Sequence, residues 1–213
     1  MQRGALKVIS VYCVLRSGGE YKAEHVARLQ AQVTRHLPGA DFRCLGDIEV
    51  GGVKTIPLAY DWPGWWSKME LFRPEISGDI LFMDLDTSIV GDLTDIASID
   101  RLALMRDIYR PEGLQSSIMY LPEAERVPIW TEWSDRPRHW MDLYRQGGDQ
   151  AFLERFWLDH ADRWQDVLPG QIVSWKSHVR KALYDDENGD GSIPTNARVV
   201  IFHGKPRPWD IEW

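Results

Sequence analysis

The chain has 213 residues, of which 44% are apolar and 27% are charged, so it belongs with globular domains and not with collagenous or disordered chains. Thirty-two acidic residues against 25 basic ones give a net charge of −7, and no run of lysine or arginine is long enough for a nucleic-acid partner. Two cysteines, Cys13 and Cys44, are too few for a disulfide framework and predict a reducing, cytoplasmic location. One domain over residues 1–213 is expected.

The first half of the chain alternates strand and helix patterns. Residues 8–15 form an apolar run that predicts a strand, and no apolar segment approaches the ~20 residues of a transmembrane helix. A helix is predicted next, from apolar residues at helical spacing: Val26, Leu29, Val33 and Leu37. Residues 40–45 and 53–58 predict two short strands, and residues 65–72 predict a short helix.

The second half continues this alternation. Residues 79–86 contain four consecutive apolar residues and then two aspartates, which is typical of a strand buried on both faces. Three further strands are predicted, at residues 102–105, 117–121 and 199–202. Residues 122–148, rich in tryptophan and proline, predict only short helices and loops. A long helix from Asp149 is predicted from one apolar face: Leu153, Phe156, Trp157, Trp164 and Leu168. The alternation predicts an α/β fold on a mostly parallel sheet.

Polar side chains follow two of the buried strands. Asp84 and Asp86 end the strand at 79–86, and His203 follows the last strand with Lys205 two residues further on. In open α/β sheets ligands bind beyond the carboxyl ends of strands, and side chains two apart on a strand share a face. Paired carboxylates suit a hard divalent cation, an imidazole favours Mn²⁺ over Mg²⁺, and a lysine supplies charge for a phosphate. Each feature alone is more often structural, so this prediction depends on their pairing.

Residues 80–90, followed by Asp92 and Leu93, resemble the Asp-x-Asp block of GT-A glycosyltransferases, especially glycosyltransferase family 8. Three further segments resemble blocks of that family in the same order along the chain: residues 66–72, where the family usually has arginine in place of Lys68, residues 148–153, and residues 203–209 as a shortened terminal block. The resemblance implies a single-domain GT-A fold, which is a Rossmann-like α/β/α sandwich with a mixed, mostly parallel central sheet.

The resemblance also implies metal-dependent chemistry. Asp84, Asp86 and His203 would hold Mn²⁺, or Mg²⁺, and the metal would bind the diphosphate of a nucleotide-sugar donor. Lys205 would contact that diphosphate. Breaking the bond to a nucleoside diphosphate leaves negative charge on the departing oxygen, which a metal and a lysine stabilise. The chain is thus predicted to be a hexosyltransferase that uses a nucleotide-sugar.

Five polar residues would surround the transferred sugar, as the resemblance implies. Lys68 and Asp107 would contact the donor sugar, Asp149 and Gln150 would lie near the reacting carbon, and Gln115 stands where the family usually has asparagine. Family 8 enzymes retain the configuration of the anomeric carbon, so retention is implied here. Because glutamine is a poor nucleophile, a front-face mechanism is favoured, in which the leaving phosphate deprotonates the acceptor.

The sequence leaves the base of the donor and the acceptor open. The aspartate and asparagine that commonly read the base after the family's first strand are absent, so UDP is expected only by resemblance. Tryptophan presents a broad apolar face to a sugar ring, so Trp65 and Trp66 are candidates for the floor of an acceptor groove, although one of the two is expected in the core. Trp209 is a further candidate substrate contact. The acceptor is an unknown glycan, lipid or protein.

Two rival functions stay open at this point. Residues 84–88 also resemble the nucleophile motif of haloacid-dehalogenase-type phosphatases, but in that family the motif ends the first strand, whereas three strand patterns precede it here. The other rival is a carbohydrate-binding GT-A module without turnover, in which Trp62, Trp65 and Trp66 would stack on sugars.

Overall fold

The computed structural model describes residues 9–183, 187–211 and 213, so Val8, where the first predicted strand begins, lies outside the described residues. The strands are β1 Ser10–Leu15, β2 Asp41–Gly46, β3 Lys54–Pro57, β4 Ile80–Met83, β5 Thr87–Ile89, β6 Ala103–Arg106, β7 Leu114–Leu121, β8 Asp162–Arg163, β9 Ile172–Ser174 and β10 Val199–Ile201. The α-helices are α1 Ala23–His36, α2 Thr94–Ala97, α3 Glu123–Asp135, α4 Pro137–Leu143, α5 Gly148–Trp157 and α6 Trp164–Val167. Three helical segments of the described residues are not α-helical: two are 3₁₀ segments, Gly64–Phe72 and Pro208–Asp210, and one is a π-helical turn, Trp175–Val179.

The central sheet has seven strands in the order β3-β2-β1-β4-β7-β6-β8. Four of its neighbouring pairs are parallel, and β7 runs antiparallel to both β4 and β6. The predicted mixed, mostly parallel sheet is confirmed. After β1 the chain moves to one side of the sheet, and after β4 it moves to the other. The carboxyl ends of β1 and β4 therefore mark the place where α/β folds bind their ligands.

Side chains of the central strands alternate between two cores, one on each face of the sheet. In β1, Val11 and Cys13 belong to one core and Tyr12 to the other. The first core packs against α1, where Val26 and Leu29 are fully buried as their spacing predicts. The second core packs against the 3₁₀ segment Gly64–Phe72, α3 and α5. The predicted three-layer sandwich is confirmed.

A second sheet of three strands, β5-β10-β9, lies beside the first core. Strand β10 pairs antiparallel with β5 and parallel with β9. Strands β5 and β9 were not predicted, because three residues are too few to show a period; β10, equally short, was predictable because Phe202 extends its apolar run to four residues. This sheet determines the position of the site, since β5 follows the Asp-x-Asp segment directly and β10 leads into His203. No helix among the described residues is long and apolar enough to cross a bilayer.

Two predicted elements are wrong in extent. The helix predicted from Asp149 through Leu168 ends at Trp157, and Trp164 opens a separate helix after β8. The two tryptophans pack into the two different cores, so their spacing does not describe one helix face. Strand β4 ends at Met83, and the aspartates that follow it lie in a turn closed by the Thr87 amide, which donates to the Asp84 carbonyl (3.0 Å).

Arg126 of α3 is a buried cation that fixes the backbone between the 3₁₀ segment and β4. Its guanidinium donates to the carbonyl oxygens of Leu71 (2.9 Å), Ile76 (2.7 Å) and Gly78 (2.6 Å). Only 2% of the residue is exposed. Leu71 lies at the end of the 3₁₀ segment, and Ile76 and Gly78 lie in the connection to β4, so the arginine supplies donors to backbone carbonyls of an irregular stretch.

We expect Arg126→Met to lower the free energy of unfolding by about 3 kcal/mol, because it leaves buried carbonyl oxygens without donors. Urea denaturation followed by tryptophan fluorescence measures this loss. Arg138→Met is the matched control, since Arg138 lies exposed on α4, and its effect should stay within about 0.5 kcal/mol. Equal losses in the two variants would contradict the assignment.

Candidate active site

A cavity of about 520 Å³ opens at the carboxyl ends of β1 and β4. Its wall consists of the loop after β1, the 3₁₀ segment Gly64–Phe72, the Asp-x-Asp turn after β4, the start of β7, the start of α5 and the segment after β10. Eight of the twelve predicted site residues line it: Trp65, Lys68, Asp84, Asp86, Gln115, Asp149, Gln150 and His203. Four do not line it: Trp66, Asp107, Lys205 and Trp209.

The Asp-x-Asp turn is held from below by Arg28 of α1. One guanidinium nitrogen of Arg28 donates to the carbonyl oxygens of Leu85 (2.7 Å) and Thr87 (2.9 Å), and another donates to Ser88 Oγ (3.1 Å). These bonds fix the backbone on both sides of Asp86. Both aspartates consequently line the cavity, although they lie in a turn and not in strand alternation as predicted.

Lys68 connects three polar groups on one side of the cavity. Its ammonium group lies 3.0 Å from Asp84 Oδ1 and 3.4 Å from Asp149 Oδ2, and it donates to Ser116 Oγ (3.2 Å). Ser116 Oγ in turn donates to Asp149 Oδ2 (2.8 Å). Burial alone would lower the pKa of Lys68, but the charges of Asp149 and Asp84 raise it above its ordinary value. Lys68 is therefore a permanent cation inside the cavity wall.

The two aspartates of the turn have unusual acidity. Burial raises the pKa of Asp84 to about 7, because Lys68 offsets only part of the penalty and Asp86 and Asp149 add negative charge. Burial likewise raises the pKa of Asp86, although Arg207 pairs with its carboxylate and the Tyr21 hydroxyl donates to it (3.2 Å). This wall of the cavity therefore has excess negative charge, and a further cation would be favourable there.

The three predicted metal ligands all line the cavity, but their side chains do not come together at one position. The His203 imidazole forms its Nε2 hydrogen bond with Ser174 Oγ (2.7 Å), at the end of neighbouring strand β9. Across the described ranges, no three histidine, cysteine, aspartate or glutamate side chains stand close enough together to hold a metal ion. The predicted convergence of Asp84, Asp86 and His203 is therefore not found; their hydrogen-bond partners are Lys68, Arg207 and Ser174 respectively.

Lys205 does not line the cavity, whereas Arg207, two residues further on, does. The Lys205 ammonium group is exposed and pairs with Glu20 and with Asp210 (3.2 Å). The Arg207 guanidinium lines the cavity, where it pairs with Asp86 and lies 3.1 Å from Glu20 Oε2. The sequence contained a signal for Arg207, because Arg207-Pro208-Trp209 has the basic-Pro-Trp form that ends the family's terminal block.

The three predicted aromatic contacts separate into different roles. Trp65 is 52% exposed and lines the cavity, with its indole against Gly148, where a Cβ would come within 2.7 Å of Trp65 Nε1. Trp66 is 5% exposed and stacks on Trp133 in the second core, so it is the core member of the pair. Trp209 lies outside the cavity lining and stacks on His25 of α1 (3.6 Å between ring centroids). It anchors the segment that carries Arg207.

Asp107 supports Gln150 from outside the cavity lining. The Gln150 side-chain amide donates to Asp107 Oδ2 (2.8 Å), while Asp107 Oδ1 accepts from the backbone amides of Tyr109 (2.8 Å) and Arg110 (3.2 Å). The predicted direct contact of Asp107 with a donor sugar has no support in this position. The Gln115 side chain is turned toward Ser117 of its own strand, with Oε1 accepting from the Ser117 amide (3.2 Å).

The sheet order, the layers and the cavity at the carboxyl edge together define a GT-A glycosyltransferase fold. The chain is similar to solved structures of LgtC, a galactosyltransferase of family 8, with a TM-score of 0.65 for an active-site mutant. The sequence identity there is 11%, and the match covers 94% of this chain and 89% of that one. The family 8 resemblance of the motifs thus agrees with the fold.

Two further structures show the same fold in other contexts. The glycosyltransferase GlyE of Streptococcus pneumoniae TIGR4 matches with a TM-score of 0.64 and 16% identity, over 95% of this chain and 56% of that one. Mouse xyloside xylosyltransferase 1 matches with a TM-score of 0.55 and 10% identity, over 92% and 97%. No protein-family profile and no curated protein sequence matches the chain. At these identities the likeness establishes the fold alone.

We expect His203 to make the protein less stable in acid. Burial, and then the charge of Lys176, lower the pKa of His203 to about 4, so protonation favours the unfolded chain, where the pKa is about 6.5. Stability from this group is complete above pH 6.5 and is lost as the pH falls toward 4. The free energy of unfolding falls in both proteins when the pH is lowered from 7 to 4. We expect the fall to be about 2 kcal/mol smaller in His203→Gln than in the unsubstituted protein.

Urea denaturation at each pH in metal-free buffer measures this difference. His139→Gln is the matched control, because His139 lies exposed on α4. Parallel pH profiles for the unsubstituted protein and His203→Gln would show that the imidazole titrates normally.

Proposed function

We propose that this protein is a glycosyltransferase that moves a sugar from a nucleotide-sugar to an acceptor hydroxyl with retention of configuration. The observation that carries the proposal is the cavity at the carboxyl edge of a GT-A sheet, where Asp84, Asp86 and Asp149 face Lys68 and Arg207. Sugar transfer separates charge, because the sugar becomes cationic while the diphosphate departs with an additional negative charge. A wall that carries both carboxylates and fixed cations suits both partners.

A divalent cation, Mn²⁺ or Mg²⁺, is part of this proposal. The donor set at the cavity fits such an ion, since two carboxylates and an imidazole are ligands that Mn²⁺ accepts, and burial raises the pKa of both carboxyl groups, a penalty on the charged form that a bound cation would offset. Asp84 and Asp86 would hold the ion, and His203 would have to exchange Ser174 for it. When bound, the ion supplies positive charge to the departing diphosphate.

The residues of the chain supply the rest of the chemistry. Arg207 presents a guanidinium to the cavity beside Asp86, and such a group binds phosphate oxygens with two parallel hydrogen bonds. Asp149 shares Lys68 with Asp84 and accepts a hydrogen bond from Ser116, so its Oδ2 atom is engaged in these contacts and is a poor nucleophile. Gln150 carries no charge. These properties favour a front-face reaction, in which the acceptor hydroxyl gives its proton to the leaving phosphate.

Gln150 has the position of a residue that orients the reacting groups. It lines the cavity at the start of α5, and Asp107 fixes its side-chain amide. The LgtC structure in the comparison is an active-site mutant in which glutamate replaces a glutamine. We infer that Gln150 fills the corresponding role here: Asp107 holds its amide group, and its carbonyl oxygen, for which the described part of the chain shows no partner, can accept a hydrogen bond.

The donor and acceptor are proposed in coarser terms. UDP is the expected nucleotide by family resemblance, and Trp65 is the candidate platform for an acceptor, because its ring lines the cavity and is half exposed. The acceptor class is a glycan, a lipid or a protein. The single domain over residues 1–213 stays a prediction. The cytoplasmic location, which was predicted from the two cysteines, also stays a prediction; both cysteines are free and buried.

The phosphatase alternative has less support. Its nucleophile, Asp84, follows the fourth strand and not the first, and it is bonded to Lys68 instead of being free to attack. Hydrolysis of a generic phosphomonoester would nevertheless favour it. Sugar binding without nucleotide binding or transfer would identify a carbohydrate-binding module.

We expect a nucleoside diphosphate to raise the melting temperature of the protein, and to raise it further with Mn²⁺. A thermal-shift panel of UDP, GDP, CDP and their common sugars, each with Mn²⁺ or with EDTA, measures this. Asp86→Asn should remove the Mn²⁺-dependent part and lower the transfer rate by about 10²-fold. Asp159→Asn, at an exposed position after α5, is the control. No shift with any nucleotide would contradict the proposed function.

We expect Asp107→Asn to lower kcat about tenfold through Gln150. Asparagine keeps Oδ1 as an acceptor for the backbone amides but presents an amino group to Gln150 in place of Oδ2. In the Gln150→Ala background the same substitution should change kcat by less than about twofold, because the interaction that it removes is already absent. Additive effects in this double-mutant cycle would place Asp107 in an independent role.

A further inference from the structure

Lys176, on the π-helical turn Trp175–Val179 that follows β9, does not line the cavity itself but adjoins Gly204, which does. Its Nζ atom is 3.4 Å from the position that a Cβ would occupy at Gly204, and Gly204 lines the cavity. Gly204 has a φ of +72°, a conformation that favours glycine, so this position is free of a side chain. The ammonium group therefore lies directly beside cavity backbone.

No hydrogen bond or ion pair of Lys176 is found within the described ranges of the chain, unlike the neighbouring cations. Lys205 pairs with Glu20 and Asp210, and Arg180 pairs with Glu187. Burial, and then the charges of Arg180 and Arg207, lower the pKa of Lys176. The charge of Glu187 acts in the opposite direction but does not offset burial and the two arginines, so an additional anion beside the ammonium group would be favourable.

The position of Lys176 also matches the charge distribution of the cavity. Asp84, Asp86 and Asp149 make one wall negative, so a free anion is repelled there. Lys176 lies on the turn after β9 and Arg207 on the segment after β10, and the charge of Arg207 is among the causes that lower the pKa of Lys176. A phosphate group on this side of the cavity would have both cations in its surroundings, of which Arg207 is already paired with Asp86 and Glu20.

We propose that Lys176 binds a phosphate group of the donor diphosphate, together with Arg207. This inference rests on the proposed function and adds a residue that no motif assigns. The ammonium group would contact a phosphate oxygen before and after transfer, and the additional charge on the departing diphosphate would strengthen the contact. A phosphate could also enter on a phosphorylated acceptor, and the arms of the experiment distinguish these two sources.

The test compares Lys176→Met with Lys181→Met, because Lys181 is an exposed lysine five residues further along the chain. Isothermal titration calorimetry measures the binding of four ligands: a nucleoside diphosphate, inorganic pyrophosphate, the bare nucleoside and glucose 1-phosphate. The nucleoside diphosphate is UDP, or whichever one stabilises the protein best. We expect Lys176→Met to weaken nucleoside diphosphate and pyrophosphate binding about tenfold, and Lys176→Arg to restore it to within about threefold. Nucleoside binding should be unchanged, as should all binding in Lys181→Met.

Three results would overturn the assignment: unchanged diphosphate affinity in Lys176→Met, an equal loss of nucleoside and diphosphate binding, or a loss confined to glucose 1-phosphate. If Lys176→Met unfolds, Lys176→Gln provides the same comparison with a polar side chain. Failure of the proposed function looks different, because the unsubstituted protein would then bind no nucleoside diphosphate. EDTA should leave the ratio between the unsubstituted protein and Lys176→Met unchanged, since lysine does not bind the metal.

Discussion

The burial of three carboxylates at one edge of the central sheet is the constraint on which the rest of the site depends. Removing a carboxylate from water costs several kcal/mol unless a cation and hydrogen bonds replace the water. Lys68 supplies that charge to Asp84 and Asp149, and Arg207 supplies it to Asp86. These ion pairs connect a 3₁₀ segment, a turn, a helix start and the last segment of the chain. The cavity exists because these four segments meet there.

The resulting cavity has a negatively charged side and a positively charged side, and a glycosyl transfer needs both. The sugar gains positive character and belongs near carboxylates, whereas the diphosphate belongs near Arg207 and, by our inference, near Lys176. Trp65 offers an apolar surface at the same opening. The fold establishes where such a reaction would take place. The assignment of the reaction itself rests on the chemistry of these side chains.

Sequence patterns were informative where burial imposes a period and failed where it does not. Helix α1 and strands β1 and β4 were predictable because each buries a regular stripe or run of apolar residues. The three-residue strands β5 and β9 show no period. Eight of the predicted residues were placed in one cavity, but their partners were not predictable, since pairs such as His203 with Ser174 depend on tertiary packing. Lys205 and Arg207 are both basic residues followed by proline, and of the two only Arg207 lines the cavity, on a segment whose Trp209 packs on α1.

The hydrogen bonds of Arg28 around Asp86 join residues about sixty positions apart in the sequence. The geometry of the aspartate pair is thus a property of two remote segments and not of a short peptide. Grafting the Asp-x-Asp segment alone onto another scaffold would transfer its sequence without its backbone conformation. A designer who wants that shape must transplant the first helix with its guanidinium as well.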